Sequence, residues 1–223
     1  MMKLLIFDLD GTLADTGRDI ADALNYALEP FGHERYSVEE TKAMVGSGMS
    51  TLIGSLVPSS PPFEKDGAVD AKELAISRFI AYYSKHLLDN TTAYPSVKET
   101  LLKLGACKKA VLSNKREEYS RQILRGLGLL EHFELVWGSD SVREKKPSPV
   151  PVLDLMDRFG VAKEETAIIG DSNYDVDAGR AAGVKVIGVT YGFRSREFLK
   201  DADVIIDRFD ELMDVIPKMQ GQV

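Results

Sequence analysis

A chain of 223 residues, 44% hydrophobic and 28% charged, can bury a sizeable core with a smaller unit attached, and its balance is that of a globular protein. Its net charge of -7 argues against a basic nucleic-acid-binding face, and no apolar stretch approaches the length of a membrane span. The single cysteine, Cys107, excludes an internal disulfide, and the N-terminus lacks a charged-then-apolar leader pattern. The expectation is a cytoplasmic protein, a monomer or a homodimer, with no nucleic-acid or membrane partner.

The apolar run at residues 4–7 reads as a buried strand of a parallel sheet. Asp8-Leu9-Asp10-Gly11-Thr12-Leu13 follows at once, so two carboxylates stand at the carboxyl end of that strand, where open α/β sheets hold their ligands. Residues from about 16 to 84 carry helical periodicity and no strand. Ile20, Ala23, Leu24, Ala27 and Leu28 form an apolar stripe that Pro30 ends. Ser37 with Glu40 is a capping box for a second helix, which Gly46-Ser47-Gly48 interrupts. A short helix over 51–57, a proline-rich loop over 58–62 and a long helix with Ile76, Phe79, Ile80 and Tyr83 on one face complete the block.

After Tyr94-Pro95 the rhythm changes. Ser96 with Glu99 predicts a further capping box, for a helix ending near Leu104. Strands are then expected at 110–112, 133–137, 166–169, 184–189 and 204–206. Helices are expected at 116–127, 150–159, 175–182 and 209–216. This alternation predicts an α/β fold: a Rossmann-like, three-layer parallel-sheet core, with an all-helical unit inserted after the first strand. The boundaries follow as 1–15 and 88–223 for the core and 16–87 for the insertion.

Three later segments also place polar groups after an apolar strand. Ser113-Asn114-Lys115 offers a hydroxyl and backbone N–H groups to an oxyanion. Lys145-Lys146-Pro147-Ser148-Pro149 holds a lysine in a loop stiffened by two prolines, Lys146 being the inward one. Gly170-Asp171-Ser172-Asn173-Tyr174-Asp175 supplies two more carboxylates at a strand-to-helix junction; N-capping suits Ser172 or Asn173 and so does not explain both acids. Asp8, Asp10, Asp171 and Asp175 converging in one cleft require a hard cation, for which Mg²⁺ fits best. Mg²⁺, a lysine, a hydroxyl and N–H groups together suit a phosphoryl group, with a spare carboxylate as nucleophile. His33, His86 and His132 show no ligand spacing, Cys107 has no resolving partner, and Trp137 and Tyr174 read as packing residues.

The four segments resemble, in order, the four motifs of the haloacid dehalogenase superfamily, and the helical insertion resembles its C1-type cap. Val45-Gly46-Ser47-Gly48, Tyr94-Pro95-Ser96-Val97 and Lys146-Pro147-Ser148-Pro149-Val150-Pro151 extend the resemblance to the phosphoglycolate phosphatase branch over nearly the whole chain. Gly138-Ser139-Asp140 departs from the Gly-Gly-Asp common in the family. The resemblance implies a magnesium-dependent phosphatase acting on a small phosphorylated substrate, 2-phosphoglycolate first among candidates. Asp8 is then the nucleophile and Asp10 the general acid and base. Mg²⁺ is held by a carboxylate oxygen of Asp8, the backbone carbonyl of Asp10 and Asp171, with Asp175 directly ligating or orienting. Lys146 neutralises Asp8 against the phosphoryl group. Gly11, Thr12, Ser113 and Asn114 bind phosphate, and Gly46, Ser47 and Gly48 face the substrate from the cap. The alternatives are a pyrophosphatase, nucleotidase, sugar-phosphate phosphatase or phosphomutase on the same site, or a binding module without chemistry. An aspartate at position 10 argues against a dehalogenase, which expels halide and needs no proton donor there.

Overall fold

The computed structural model describes residues 1–57 and 70–219, so the proline-rich loop expected at 58–62 lies outside the described residues. Strand β1 (Leu4–Phe7) is the centre of a six-stranded, all-parallel sheet. β4 (Lys108–Leu112) and β5 (Leu135–Trp137) lie on one side of it. β6 (Thr166–Gly170), β7 (Lys185–Val189) and β8 (Val204–Ile206) lie on the other, giving the order β5-β4-β1-β6-β7-β8. Ile6 is paired with Ala110 and with Ile168, so the carboxyl ends of β1, β4 and β6 lie level. The chain reverses its direction of travel across the sheet at β1, and a crevice opens at such a reversal.

All four β1 side chains are fully buried, and their alternation explains the three layers. Leu5 and Phe7 join one apolar cluster, Leu4 and Ile6 the other. Helices α7 (Val150–Phe159) and α8 (Asn173–Ala182) cover Leu4 and Ile6 with Val152, Leu155, Val176 and Ala178. Helices α5 (Val97–Lys103), α6 (Glu117–Gly126) and α9 (Leu212–Lys218) cover the opposite face through Leu101, Ile123 and Leu212.

Between β1 and α5 the described residues form four helices: α1 (Gly17–Leu28), α2 (Val38–Met44), α3 (Met49–Leu56) and α4 (Ala71–His86). The expected stripe on α1 is buried throughout, and a 3-10 turn over Glu29–Phe31 carries Pro30 and closes at Gly32. The Ser37–Glu40 capping box forms. The one expected at Ser96 does not: Ser96 lies in the left-handed region at φ 64°, and its side chain caps nothing. The turn closed by the Val97 N–H on the Tyr94 carbonyl carries Ser96 into that conformation, which departs from the extended backbone of a capping residue.

The structure adds two strands not expected from the sequence. β2 (Ala14–Asp15) and β3 (Thr92–Ala93) pair antiparallel, so the outgoing and returning crossings run as one short ribbon. Asp19, in the first turn of α1, fastens it. Its buried carboxylate accepts from the Asn90 N–H and Nδ2 and from the Thr91 N–H and hydroxyl at 2.8–3.1 Å. Asp19→Ala leaves the buried Thr91 N–H and hydroxyl without their acceptor and releases Asn90. It is expected to lower stability by about 3 kcal/mol in urea unfolding; a loss below about 0.5 kcal/mol, the level of an ordinary surface change, would contradict this reading.

Candidate active site

β1 ends at Phe7, and the Asp8 N–H still donates to the Ile169 carbonyl at 2.9 Å, so Asp8 takes its place from the sheet. The chain then folds back on itself. The Leu13 and Ala14 N–H groups return to the Leu9 carbonyl, and Gly11 makes the turn at φ +84°. A Cβ at Gly11 would collide with the Asp171 carboxylate, so only glycine lets this turn press against the end of β6.

Asp171 follows β6 directly, and Asp175 sits in the first turn of α8. Carboxylate oxygens of Asp8, Asp171 and Asp175 all lie within 4.8 Å of one another, and all three residues are buried. The Lys146 ammonium stands 2.9 Å from Asp8 and 2.6 Å from Asp175. Asp175 is held from its other side by the Ser172 N–H and hydroxyl, at 3.2 and 2.7 Å. Asp175 therefore does take part in the helix cap, which the spacing did not suggest, and it anchors Lys146 with its second oxygen. Asp171 is fixed by the Phe193 N–H at 2.6 Å.

The electrostatics state what the cluster lacks. Burial pushes the Asp8 carboxyl up to about 7; Lys146 opposes this, while Asp175 and Asp10 add to it. Burial, with Asp8 and Asp175 alongside, pushes Asp171 well above the ordinary carboxylate value. Burial alone would lower the Lys146 ammonium, but the Asp175 and Asp8 charges outweigh it and raise it. Three acids around one ammonium leave an excess of negative charge, so the donor set fits a hard divalent cation.

The sign of the pH dependence follows. Asp8 and Asp171 hold protons more tightly in the folded protein than at their unfolded value near 3.8. The folded, metal-free protein thus binds more protons than the unfolded chain above that value. Their contribution to stability is lost as pH rises toward about 7. A divalent ion needs the deprotonated acids, so its stabilisation grows over the same window. The magnesium-induced rise in thermal midpoint is expected to be larger near pH 8 than near pH 5; equal rises at both would contradict the cluster as its site.

Asp10 stands apart from the three acids. Its Oδ1 accepts from the Thr16 hydroxyl at 2.6 Å and faces the buried Lys115 ammonium at 3.2 Å. Lys115 donates in turn to the Tyr83 hydroxyl of α4 at 2.8 Å. Ser113 and Asn114 line the same cleft after β4. Asn114 Nδ2 donates to the carbonyls of Gly46 and Lys146, both at 2.8 Å, and so ties the Gly46 loop to the Lys146 loop. Gly46 and Gly48 line the cleft, whereas Ser47 meets the core through its carbonyl, which accepts from Lys145 at 3.0 Å. Thr12 is fully buried, with its hydroxyl unpartnered and its carbonyl accepting from Tyr191. Tyr174, read from the sequence as a packing residue, also lines the cleft, and it fills the space where a Gly46 Cβ would be.

Sequence reasoning gave no role to Thr16, Lys115 or Arg194. Lys115 had a signal, as the third residue of Ser113-Asn114-Lys115. Arg194 had none, since it lies in a loop beyond β7 with no motif around it.

A parallel α/β core with a helical cap and an acid cluster at its strand ends defines a hydrolase class, and comparison with known proteins gives it a name. The model of the haloacid dehalogenase-like hydrolase family matches residues 5–189, and the chain belongs to that family. It is 36% identical over 217 residues to the phosphoglycolate phosphatase of Chromobacterium violaceum, covering 96% of each chain. It is 36% identical over 198 residues to that of Aquifex aeolicus, covering 86% of each. Among solved structures, a predicted phosphoglycolate phosphatase from Haemophilus somnus superposes with a TM-score of 0.87 at 30% identity, over 96% of this chain and 98% of that one. By this likeness the chain stands with the phosphoric monoester hydrolases of the family.

Proposed function

We propose that the chain is a cytoplasmic, magnesium-dependent phosphatase that hydrolyses 2-phosphoglycolate through an aspartyl-phosphate on Asp8. Residues 16–87 form the cap over a core made of 1–15 and 88–223. The observation that carries the reading is the cluster of Asp8, Asp171 and Asp175 around the Lys146 ammonium, at the reversal point of a parallel sheet. The named relatives support the choice of substrate.

Asp8, Asp171 and Asp175, with the backbone carbonyl of Asp10, would hold the Mg²⁺. When bound, the ion neutralises phosphoryl oxygens and the acids around them. Lys146 screens the Asp8 carboxylate from the incoming dianion and, anchored by Asp175, keeps one Asp8 oxygen directed, leaving the other to attack phosphorus. The Ser113 hydroxyl and the Asn114 N–H after β4 bind phosphoryl oxygens; the Gly11 and Thr12 N–H groups, expected to share this part, are instead donated to the Ala14 and Leu9 carbonyls at 2.9 and 3.2 Å and shape the turn. Asp10 protonates the departing alkoxide and then takes a proton from the water that cleaves the aspartyl-phosphate. Its contacts with Thr16 and Lys115 hold it beside the reaction rather than in the acid cluster. Gly46 and Gly48 bring cap backbone to the cleft wall and help to exclude water.

A magnesium-dependent screen over 2-phosphoglycolate, pyrophosphate, nucleotides and sugar phosphates tests this. The expected result is the highest kcat/KM for 2-phosphoglycolate. A higher value for any of the others would overturn the choice of substrate, and no magnesium-dependent turnover of any would overturn the chemistry.

A further inference from the structure

Among the described residues, three cations line the cleft: Lys115, Lys146 and Arg194. Two are already matched with acids. Lys146 sits between Asp8 and Asp175, and Lys115 between Asp10 and the Tyr83 hydroxyl. Arg194 differs. Its polar partners are neutral: the carbonyl oxygens of Ala43, and of Val45 at 2.9 Å, both at the C-terminal end of α2. No carboxylate among the described residues lies within ion-pair distance of it. Its Nε is buried and has no hydrogen-bond partner. A guanidinium carries five N–H donors in a planar fork, so two carbonyls leave three donors unpaired and no carboxylate against its charge.

The placement of Arg194 gives that charge a use. Its neighbour Phe193 donates its N–H to Asp171, so Arg194 is one residue from a direct contact with the acid cluster. Its Nη2 lies 3.6 Å from where a Cβ on Gly46 would stand, at the cap side of the cleft. The α2 carbonyls grip the two terminal nitrogens and fix the plane of the fork, and the Phe198 ring lies 5.4 Å from its centre. The result is a preorganised fork, with no carboxylate against it, on the wall of the cleft that holds the acid cluster.

We infer that Arg194 is the specificity-determining residue that reads the substrate's second anionic group, a carboxylate on the carbon next to the ester oxygen. This deepens the proposed function and rests on it. A carboxylate suits the remaining donors because it accepts two parallel N–H bonds, and no other cation of the cleft is without an acid partner. The fork also bridges core and cap, so a carboxylate bound there would hold the cap loop over the substrate from the core side.

The test compares 2-phosphoglycolate with ethyl phosphate, which has the same two-carbon skeleton and alkoxide leaving group but a methyl in place of the carboxylate. Wild type, R194Q and R194M are assayed with both esters on the same preparations, so any loss of folded protein cancels in the ratio of kcat/KM. Two variants are used so that one that fails to fold does not end the experiment. Each variant is expected to lose about 10²-fold in kcat/KM for 2-phosphoglycolate, chiefly through KM, and less than about 3-fold for ethyl phosphate. The ratio between the esters then collapses toward one. A wild type that favours 2-phosphoglycolate, with variants that keep the wild-type ratio while both rates fall, would overturn the role of Arg194 and leave the substrate intact. A wild type that does not favour 2-phosphoglycolate over ethyl phosphate would overturn the substrate reading itself.

Discussion

Asp8→Asn is expected to lower kcat by about 10⁴–10⁶-fold, the scale on which removing a catalytic nucleophile acts in enzymes of this kind of covalent logic. An amide has the shape of the carboxylate but is a poor nucleophile toward phosphorus. The fold should not suffer. Asp8 is buried, and its carboxyl is pushed up to about 7 by burial and by Asp175 and Asp10, so its charge is a strain on the metal-free protein. A neutral side chain there relieves repulsion within the acid cluster, and Lys146 keeps its 2.6 Å contact with Asp175. Steady-state turnover should therefore vanish while the thermal midpoint without metal holds or rises. More than a trace of magnesium-dependent turnover in this variant would contradict the assignment of Asp8.

Asp10→Asn is expected to cost about 10²–10⁴-fold in kcat, the range for loss of a general acid–base group. The amide oxygen can still accept from the Thr16 hydroxyl and face the Lys115 ammonium, so the local fold is preserved. The proton transfer is what disappears. Its signature depends on the leaving group. An alkoxide needs the proton and is slowed at the first step. The anion of an acidic phenol leaves without help, so an aryl phosphate should still phosphorylate the variant. Hydrolysis of the aspartyl-phosphate still needs the base, and the phosphorylated enzyme accumulates. Equal slowing of alkyl and aryl esters at the first step, with no accumulation, would contradict the role of Asp10.

The parts of this site legible in the sequence are those encoded by contiguous residues at the ends of buried strands. Asp8, Ser113 and Asp171 each follow an apolar run directly, and parallel pairing with β1 in the centre brings these ends level. Lys146 was legible from the stiffness of its proline-flanked loop. The rest depends on contacts between distant segments. The β2–β3 ribbon is two residues long on each side, too short for any periodicity, and its fastening by Asp19 links residues 71 and 72 positions apart. Tyr83 read correctly as part of an apolar helix face, yet its hydroxyl reaches Lys115 across the cap–core boundary. Ser96 shows the opposite failure, a sound local capping signal overridden by the turn before it. Arg194 acquires its place only when α2 and the loop after β7 meet.

Phosphorus is proposed to pass through a covalent bond to Asp8. The direct measurement is acid quenching of the Asp10→Asn protein after mixing with magnesium and an aryl phosphate labelled in its phosphoryl group, followed by peptide mapping of the label. Close to one label per chain is expected, carried on the peptide spanning the first strand and assigned to Asp8. Label on another residue, or an unlabelled protein while the wild-type enzyme turns the same ester over, would contradict it.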